Sequence, residues 1–550
     1  MAAESYFRTS GRMAAVNVTS GPGGTNTITG LYGAFVDSLA MIVISGQVKW
    51  ETLVRSTTLP LRQLGDQELD IIPIVKTITK YAEMVTDPLT IRYHLEKALH
   101  LATSGRPGPV WIDVPLNVQG AQIDPDALVG YDPSADPVVY ETADLRGSCQ
   151  DLINRLRSAK RPVLLLGAGV RISGVRAQVL ELLKRLPVPV VTAWNSHDLI
   201  PDAHPAYAGR PGSLGDRAGN FAVQNADFVL VLGCRLNVRQ VSYAWDLFAR
   251  NATVAMIDVD AAELKKPTLK VAIPVHADLR DALPLLLAAA GETPDDRHAA
   301  WIAWCKVRLA KYDPVLPAYW AKAERINPYC FPRVLFDQLA EDDVVVTGDG
   351  TACVTSFQAA HIRGEQRLYT NSGCASMGYD LPGAIGACIA RNRARTVCLA
   401  GDGSIQMNLQ ELQTIVGLKL PIKIFVLNND GYHSIRQTQH AYFSDSLIGF
   451  DVASGVSFPE FERLAYAYRL PYTRCSDIDT LASDIRAVLA IPGPSLCEVM
   501  LDPAQPFAPK LSSKKLPNGK MVSAPLEDLA PFLPRDEFAS NMLVPILPEI

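Results

Sequence analysis

Long apolar runs are missing from this sequence: no stretch approaches the roughly eighteen residues of a membrane-spanning helix. A surplus of basic charge is missing too. The 52 Lys and Arg residues stand against 57 Asp and Glu, a formal net charge of -5, so there is no electrostatic footprint for nucleic acid. The ten cysteines include no Cys-x-x-Cys pair. With no secretory leader ahead of them, they read as reduced thiols in a cytoplasmic protein. No His-His pair occurs either.

What is present is regular. The 550 residues exceed what one hydrophobic core usually serves, so about three domains are expected. Short runs rich in β-branched residues alternate with helical patterns, the signature of βαβ units and parallel sheets. Ten candidate strands stand out: 14–20, 41–46, 110–115, 162–167, 189–194, 228–233, 254–260, 344–350, 396–403 and 422–429. They fall into three groups. A Pro- and Asp-rich stretch at 122–137 reads as a linker, and a second boundary follows 286–296. The expected architecture is α/β, with three doubly wound parallel-sheet domains at 1–125, 145–290 and 328–505 and a C-terminal tail at 506–550.

The strongest chemical signal runs from Gly401 to Asp430, "GDGSIQMNLQELQTIVGLKLPIKIFVLNND". One strand ends in Gly-Asp-Gly, a helix is expected over about Asn408 to Leu418, and the next strand ends in Asn-Asn. A right-handed crossover makes the two strands parallel, so Asp402 and Asn429 emerge at the same carboxyl edge. A carboxylate, an amide oxygen and a backbone carbonyl are hard ligands that suit Mg²⁺ once a diphosphate completes the shell. Glycines at 401 and 403 let the backbone approach phosphates. A plain βα turn carrying common residues is the competing reading for each piece taken alone.

This stretch resembles the GDG…NN motif of the thiamine-diphosphate (ThDP) enzymes, specifically the acetolactate-synthase-like branch. The resemblance implies that Asp402, Asn429 and the backbone of Gly431 hold the metal. It extends to "TSGPGGTN" (19–26), which is similar to the glycine turn of a pyrimidine-binding domain, and to "SGQV" (45–48) and "ATSGRPGPVWIDVP" (102–115). "NSGCASMGYDLPGAIGA" (371–387) resembles the segment that closes over the cofactor, with Met377 as the bulky apolar prop under the bent cofactor. A core methionine is the bland alternative. Gly24, Gln67 and Met377 are implied at the catalytic end. Gly350, Thr351, Met377, Gly401, Asp402, Gly403, Ser404, Asn429 and Gly431 are implied around the cofactor. The domains would then be pyrimidine-binding, central and diphosphate-binding.

The chemistry implied is decarboxylation of pyruvate or a similar 2-oxo acid to an enamine, then transfer of the acetyl unit to a second carbonyl. The smallest competent unit would be a homodimer, with a homotetramer also expected. The family's activating Glu lies about two helical turns before the Glu of a pattern like that in "AAESYFR" (2–8), which falls upstream of Met1. Glu4 is not that residue and is expected to be a helix-surface charge. The opening reads as a helix entered part way along, so a lost beginning is expected, and a catalytically impaired form is the alternative reading.

Two departures bear on specificity. "YHSIRQTQ" (432–439) places Thr438 where anabolic acetolactate synthases carry Trp, and "GDGTACVT" (348–355) replaces their Gln-His-Gln. Both weigh against branched-chain amino-acid biosynthesis, and a smaller side chain could admit a bulkier acceptor. The tail at 509–538 resembles ThDP enzymes acting on surface-polysaccharide sugars, including those whose acceptor is a keto-sugar nucleotide. It also reads as a basic arm draped over the site or an interface. In the middle domain "LLLGAGV" (164–170), 209–236 and "IDVDAAELKK" (257–266) resemble a flavin-binding domain. FAD binding and a fold that has lost its flavin both stand as readings. His433 and His440 are expected to be packed or surface residues.

Overall fold

The computed structural model describes residues 1–443, 447–515, 518 and 521–547. Three parallel sheets organise them. The first comprises β1 (Ala14–Val18), β2 (Met41–Gln47), β3 (Tyr81–Met84) and β4 (Pro109–Pro115), in the order β1-β2-β4-β3. The second runs β10-β9-β8-β5-β6-β7. Its strands are β5 (Pro162–Leu166), β6 (Val190–Thr192), β7 (Tyr207–Gly209), β8 (Phe228–Leu232), β9 (Thr253–Asp258) and β10 (Ile273–His276). The third runs β12-β11-β13-β14-β16-β15. It holds β11 (Val344–Thr347), β12 (Arg367–Tyr369), β13 (Thr396–Gly401), β14 (Ile422–Asn428), β15 (Tyr472–Cys475) and β16 (Ser495–Met500). A separate antiparallel pair joins β17 (Ser513–Lys515) to β18 (Met521–Ser523).

All ten expected strands are present. Central strands such as β5, "PVLLL", and β8, "FVLVL", are buried along their whole length, because helices cover both faces of a parallel sheet and no polar face is needed. The helix expected from Asn408 to Leu418 is shorter: a 3₁₀ turn occupies Ser404–Asn408, and the α-helix covers Glu411–Gly417.

By internal contacts the chain divides into two compact units. The first holds Met1–Val139, Thr370–Cys398 and Ser404–Ile422; the second holds Tyr140–Tyr369, Leu399–Gly403 and Lys423–Ile550.

Within the first unit, the helix Ala2–Ser10 packs on the helix Asp380–Ala390. Ser5 Oγ donates to the Gly383 carbonyl at 2.6 Å, and a Cβ on Gly386 would sit 2.1 Å from the Ala2 carbonyl oxygen. This packing corrects the expectation for Glu4. Its side chain is fully buried rather than on the helix surface, because that face meets another helix; Arg8 bonds both Glu4 and Asp37 at 2.9 Å. Burial still holds the Glu4 carboxyl above its ordinary pKa.

In the second unit, strand order reverses between β5 and β8 and between β11 and β13. Open α/β sheets bind ligands in crevices outside the carboxyl ends at such points. The second reversal is where Gly350, Thr351 and Asp402 stand, and Gly348 N–H donates to the Leu399 carbonyl across it at 2.8 Å.

Candidate active site

In the second unit the end of β13 delivers Asp402 and the end of β14 delivers Asn429, both 3% exposed. The Asp402 carboxylate accepts N–H bonds from Gly403 (2.8 Å), Asn429 (3.2 Å) and Gly431 (2.8 Å). Those donors favour the ionised form, but burial is the larger influence and pushes the carboxyl up to about 6. Asn429 Nδ2 donates to Thr351 Oγ1 at 2.7 Å, so its amide nitrogen is occupied and its oxygen is the end left to act as a ligand. Gly431 has φ 135°, and Asp430 before it has φ 56°, a left-handed pair that turns the chain sharply after β14.

Gly350 caps the nine-residue helix Thr351–Ala359 at φ 71°, and a Cβ there would meet only Ser434 Oγ, at 3.9 Å. The space before this helix N-terminus is open, and its unpaired N–H groups favour an anion. Gly403 also has a packing requirement of its own: a Cβ there would lie 2.1 Å from the Tyr432 ring. Among the described residues no group of three or more His, Cys, Asp or Glu side chains could hold a metal. A cation at Asp402 therefore depends on amide, carbonyl and ligand oxygens. That donor set fits a hard divalent ion sharing a diphosphate.

The first unit contains Gly24, Gln67, Met377 and Ser404. Gly24 is buried in the short helix Pro22–Asn26, where a Cβ would touch Ile71 and Trp111 at 3.6–3.7 Å. Gln67 stands in the left-handed region at φ 57°, costly for a side chain of its size. Its carbonyl lies 2.5 Å from where a Cβ on Gly21 would be, and Ser20 Oγ donates to it at 3.3 Å. The structure thus brings Gln67 against the glycine turn. Met377 is half-buried and precedes Gly378, which has φ 81°.

Sequence reasoning missed three buried carboxyls. Glu68 accepts N–H bonds from Val54 (2.5 Å), Leu64 (2.8 Å) and Gly65 (3.1 Å), fixing the loop that carries Gln67. Asp113, on β4, accepts from Ser45 Oγ (2.5 Å) and Gln47 Nε2 (3.1 Å), and burial pushes it up to about 6. Asp380 accepts from Ser404 Oγ at 2.6 Å and is likewise raised by burial to about 6. Asp113 had a signal, since it lies in the quoted "VWIDVP" with partners in "SGQV".

His433 is packed as expected: Nε2 lies 2.6 Å from Gln437 Nε2 and 2.9 Å from the Gln505 carbonyl, and burial pushes its pKa down to about 4, leaving it neutral. Thr438 is exposed, its hydroxyl donating to the Ser434 carbonyl at 3.0 Å. The tail is an arm docked on the second unit. Gln358 Nε2 donates to the Pro509 carbonyl at 2.7 Å, Leu511 N–H to the Ser213 carbonyl at 2.7 Å, and Lys510 Nζ to Gln437 Oε1 at 3.0 Å.

The glycines of the segments similar to a flavin domain have partners within the chain. A Cβ on Gly167 would sit 2.2 Å from the Gly233 carbonyl oxygen, and one on Gly215 would sit 2.2 Å from that of Arg210. Backbone packing accounts for them without a flavin.

Three family patterns match the chain: thiamine pyrophosphate enzyme N-terminal TPP binding domain over residues 1–72, central domain over 149–286, and C-terminal TPP binding domain over 344–499. The acetolactate synthase large subunit of Lactococcus lactis subsp. lactis (strain IL1403) is 31% identical over 92% of this chain and 85% of that protein. Acetolactate synthase isozyme 2 large subunit of Escherichia coli (strain K12) is 30% identical over 96% of this chain and 91% of its own length. A probable acetolactate synthase large subunit of Methanocaldococcus jannaschii is 30% identical over 92% and 84%.

Proposed function

The chain belongs to the acetolactate-synthase-like thiamine pyrophosphate enzymes, and from that premise we propose a Mg²⁺-dependent carboligase that decarboxylates pyruvate or a similar 2-oxo acid. The acetyl unit passes to a second carbonyl, on another 2-oxo acid or a keto-sugar nucleotide. Bound thiamine diphosphate supplies the carbon nucleophile for this chemistry.

One observation carries the reading: Asp402, Asn429 and Gly431 converge at adjacent strand ends beside the open N-terminus of Thr351–Ala359. Asp402, the Asn429 amide oxygen and the Gly431 carbonyl would hold the metal, and the helix N–H groups from Thr351 onward would hold phosphate oxygens. Gly401 and Gly403 shape the turn that carries Asp402. Gly24, Gln67 and Met377 would serve the pyrimidine end, with Met377 as an apolar prop that excludes water.

Two features support a large, anionic acceptor. Ser434 and Thr438 are small and exposed one turn apart on the helix His433–Tyr442. Lys510, half-buried and lowered in pKa by burial, is held against Gln437 of the same helix. We further propose a homodimer or homotetramer, which light scattering on the purified chain will read directly.

The test is CO₂ release from pyruvate by purified protein with Mg²⁺ and ThDP, compared across neutral aldehydes, 2-oxo acids and keto-sugar nucleotides. Release that rises with an anionic acceptor is expected. No release from any 2-oxo acid tested would overturn the proposal.

A further inference from the structure

The half-buried Met377 is followed by a peptide unit held at both ends. Gly378 N–H donates to Ser404 Oγ at 2.9 Å, and the Gly378 carbonyl accepts from Asn408 Nδ2 at 2.7 Å. Ser404 and Asn408 open and close the 3₁₀ turn that follows the Gly401–Gly403 turn in the chain. The clamp is tight: a Cβ on Gly378 would lie 2.6 Å from Met407 Cβ and 2.9 Å from Asn408 Nδ2. Behind it stands Asp380, fully buried at the start of the helix Asp380–Ala390. One carboxylate oxygen accepts from Ser404 Oγ at 2.6 Å, and the other accepts from Leu381 N–H at 2.9 Å.

Among the described residues no cation bonds Asp380. A buried carboxyl without an ionic partner is costly, and an amide of the same shape would cost less. The hydrogen-bond inventory shows what an amide could not do. Leu381 N–H takes one oxygen of this side chain and Ser404 O–H the other; an amide has one oxygen, and its NH₂ would have to donate to Ser404 Oγ, turning the Ser404 proton away and using a lone pair that would otherwise be left for Gly378. With a carboxylate in place, the Ser404 proton points to Asp380 and its lone pairs are left for Gly378.

We propose that Asp380 is a positioning residue: through Ser404 it locks the peptide after Met377, so the Met377 prop and the turn following Asp402 are set together before cofactor binds. The inference rests on the proposed function, since Met377 is a prop only if thiamine diphosphate binds. The Asp380 carboxylate acts through its bonds to Ser404 Oγ and the Leu381 N–H.

The test is a double-mutant cycle of Asp380→Asn and Ser404→Ala, with ThDP affinity in Mg²⁺ read from quenching of intrinsic fluorescence and unfolding followed in parallel. Each single change is expected to weaken ThDP binding about tenfold, and the double variant no further than the weaker single. Ser404→Thr, which keeps the hydroxyl, should recover most of the loss. A merely structural role for Asp380 would lower the unfolding temperature and leave the affinity of the folded protein unchanged, and that result would overturn the inference. So would single effects that multiply in the double variant. Should Asp380→Asn not fold, Ser404→Ala and Ser404→Thr still decide: equal affinity in the two would contradict the relay. Wild-type protein that binds no ThDP would overturn the proposed function itself, an outcome distinct from any of these.

Discussion

Two Gly-x-Gly turns follow strands at points where sheet order reverses, and the structure uses them in opposite ways. After β5, Gly167 and Gly169 are pressed onto Gly233, with would-be Cβ contacts of 2.2 and 2.8 Å. After β11, Gly348 leads to Gly350, whose would-be Cβ has nothing nearer than 3.9 Å. The first turn is glycine because neighbouring backbone leaves no room for a Cβ. The second is glycine for its φ of 71°, and it leaves the crevice before a helix N-terminus open. A glycine pattern thus marks close approach of something, and only the opposing atoms say whether that is backbone or ligand.

The comparison can be broken by substitution. The largest effect is expected at the open crevice: Asp402→Ala should cut Mg-ThDP affinity and pyruvate turnover by more than about 100-fold, with the fold kept, measured by cofactor titration and CO₂ release. Gly167→Ala should do the reverse. Its added methyl would overpack backbone at a cost of about 1–3 kcal/mol, lowering the unfolding temperature by several degrees, while the folded fraction binds ThDP as before. Equal loss of binding in both variants would contradict the division of roles.

A third prediction concerns the first unit. Asp113 has a folded-state pKa raised to about 6 from the ordinary 3.8, so the folded protein holds its proton more tightly than the unfolded chain. Its contribution to stability is fully present below about pH 4 and is lost as pH rises to about 6, by up to about 3 kcal/mol. Asp113→Asn should flatten that part of the profile in pH-dependent urea unfolding. The smallest expected effect is spectroscopic: purified protein should carry no flavin absorbance, and stoichiometric FAD would show that the central domain takes a flavin despite the close packing at Gly167.

Much of this was legible in the sequence, for physical reasons. Nine of the ten foreseen strands are apolar runs buried along most of their length; the tenth, β1 ("AAVNV"), alternates half-buried and exposed positions. Strands β3, β7, β10, β12 and β15 are short, at three or four residues, and several carry polar or half-exposed positions, so they lack a run to see. In β16 the run "SLCEVM" is broken by Glu498, which is nevertheless buried and bonded to Asn428 Nδ2 at 2.7 Å. The pair Asp402 and Asn429 was readable because a βαβ crossover fixes where strand ends go. Glu4 and Asp380 were not. Each is buried by partners distant in the sequence, and no local pattern marks a carboxyl that will be covered.

The most direct test of the central claim is a ThDP titration of the wild-type chain and of Asp402→Ala, with Mg²⁺ and with a chelator. The account predicts saturable, Mg²⁺-dependent binding that Asp402→Ala abolishes. Binding that ignores both the metal and Asp402 would contradict it.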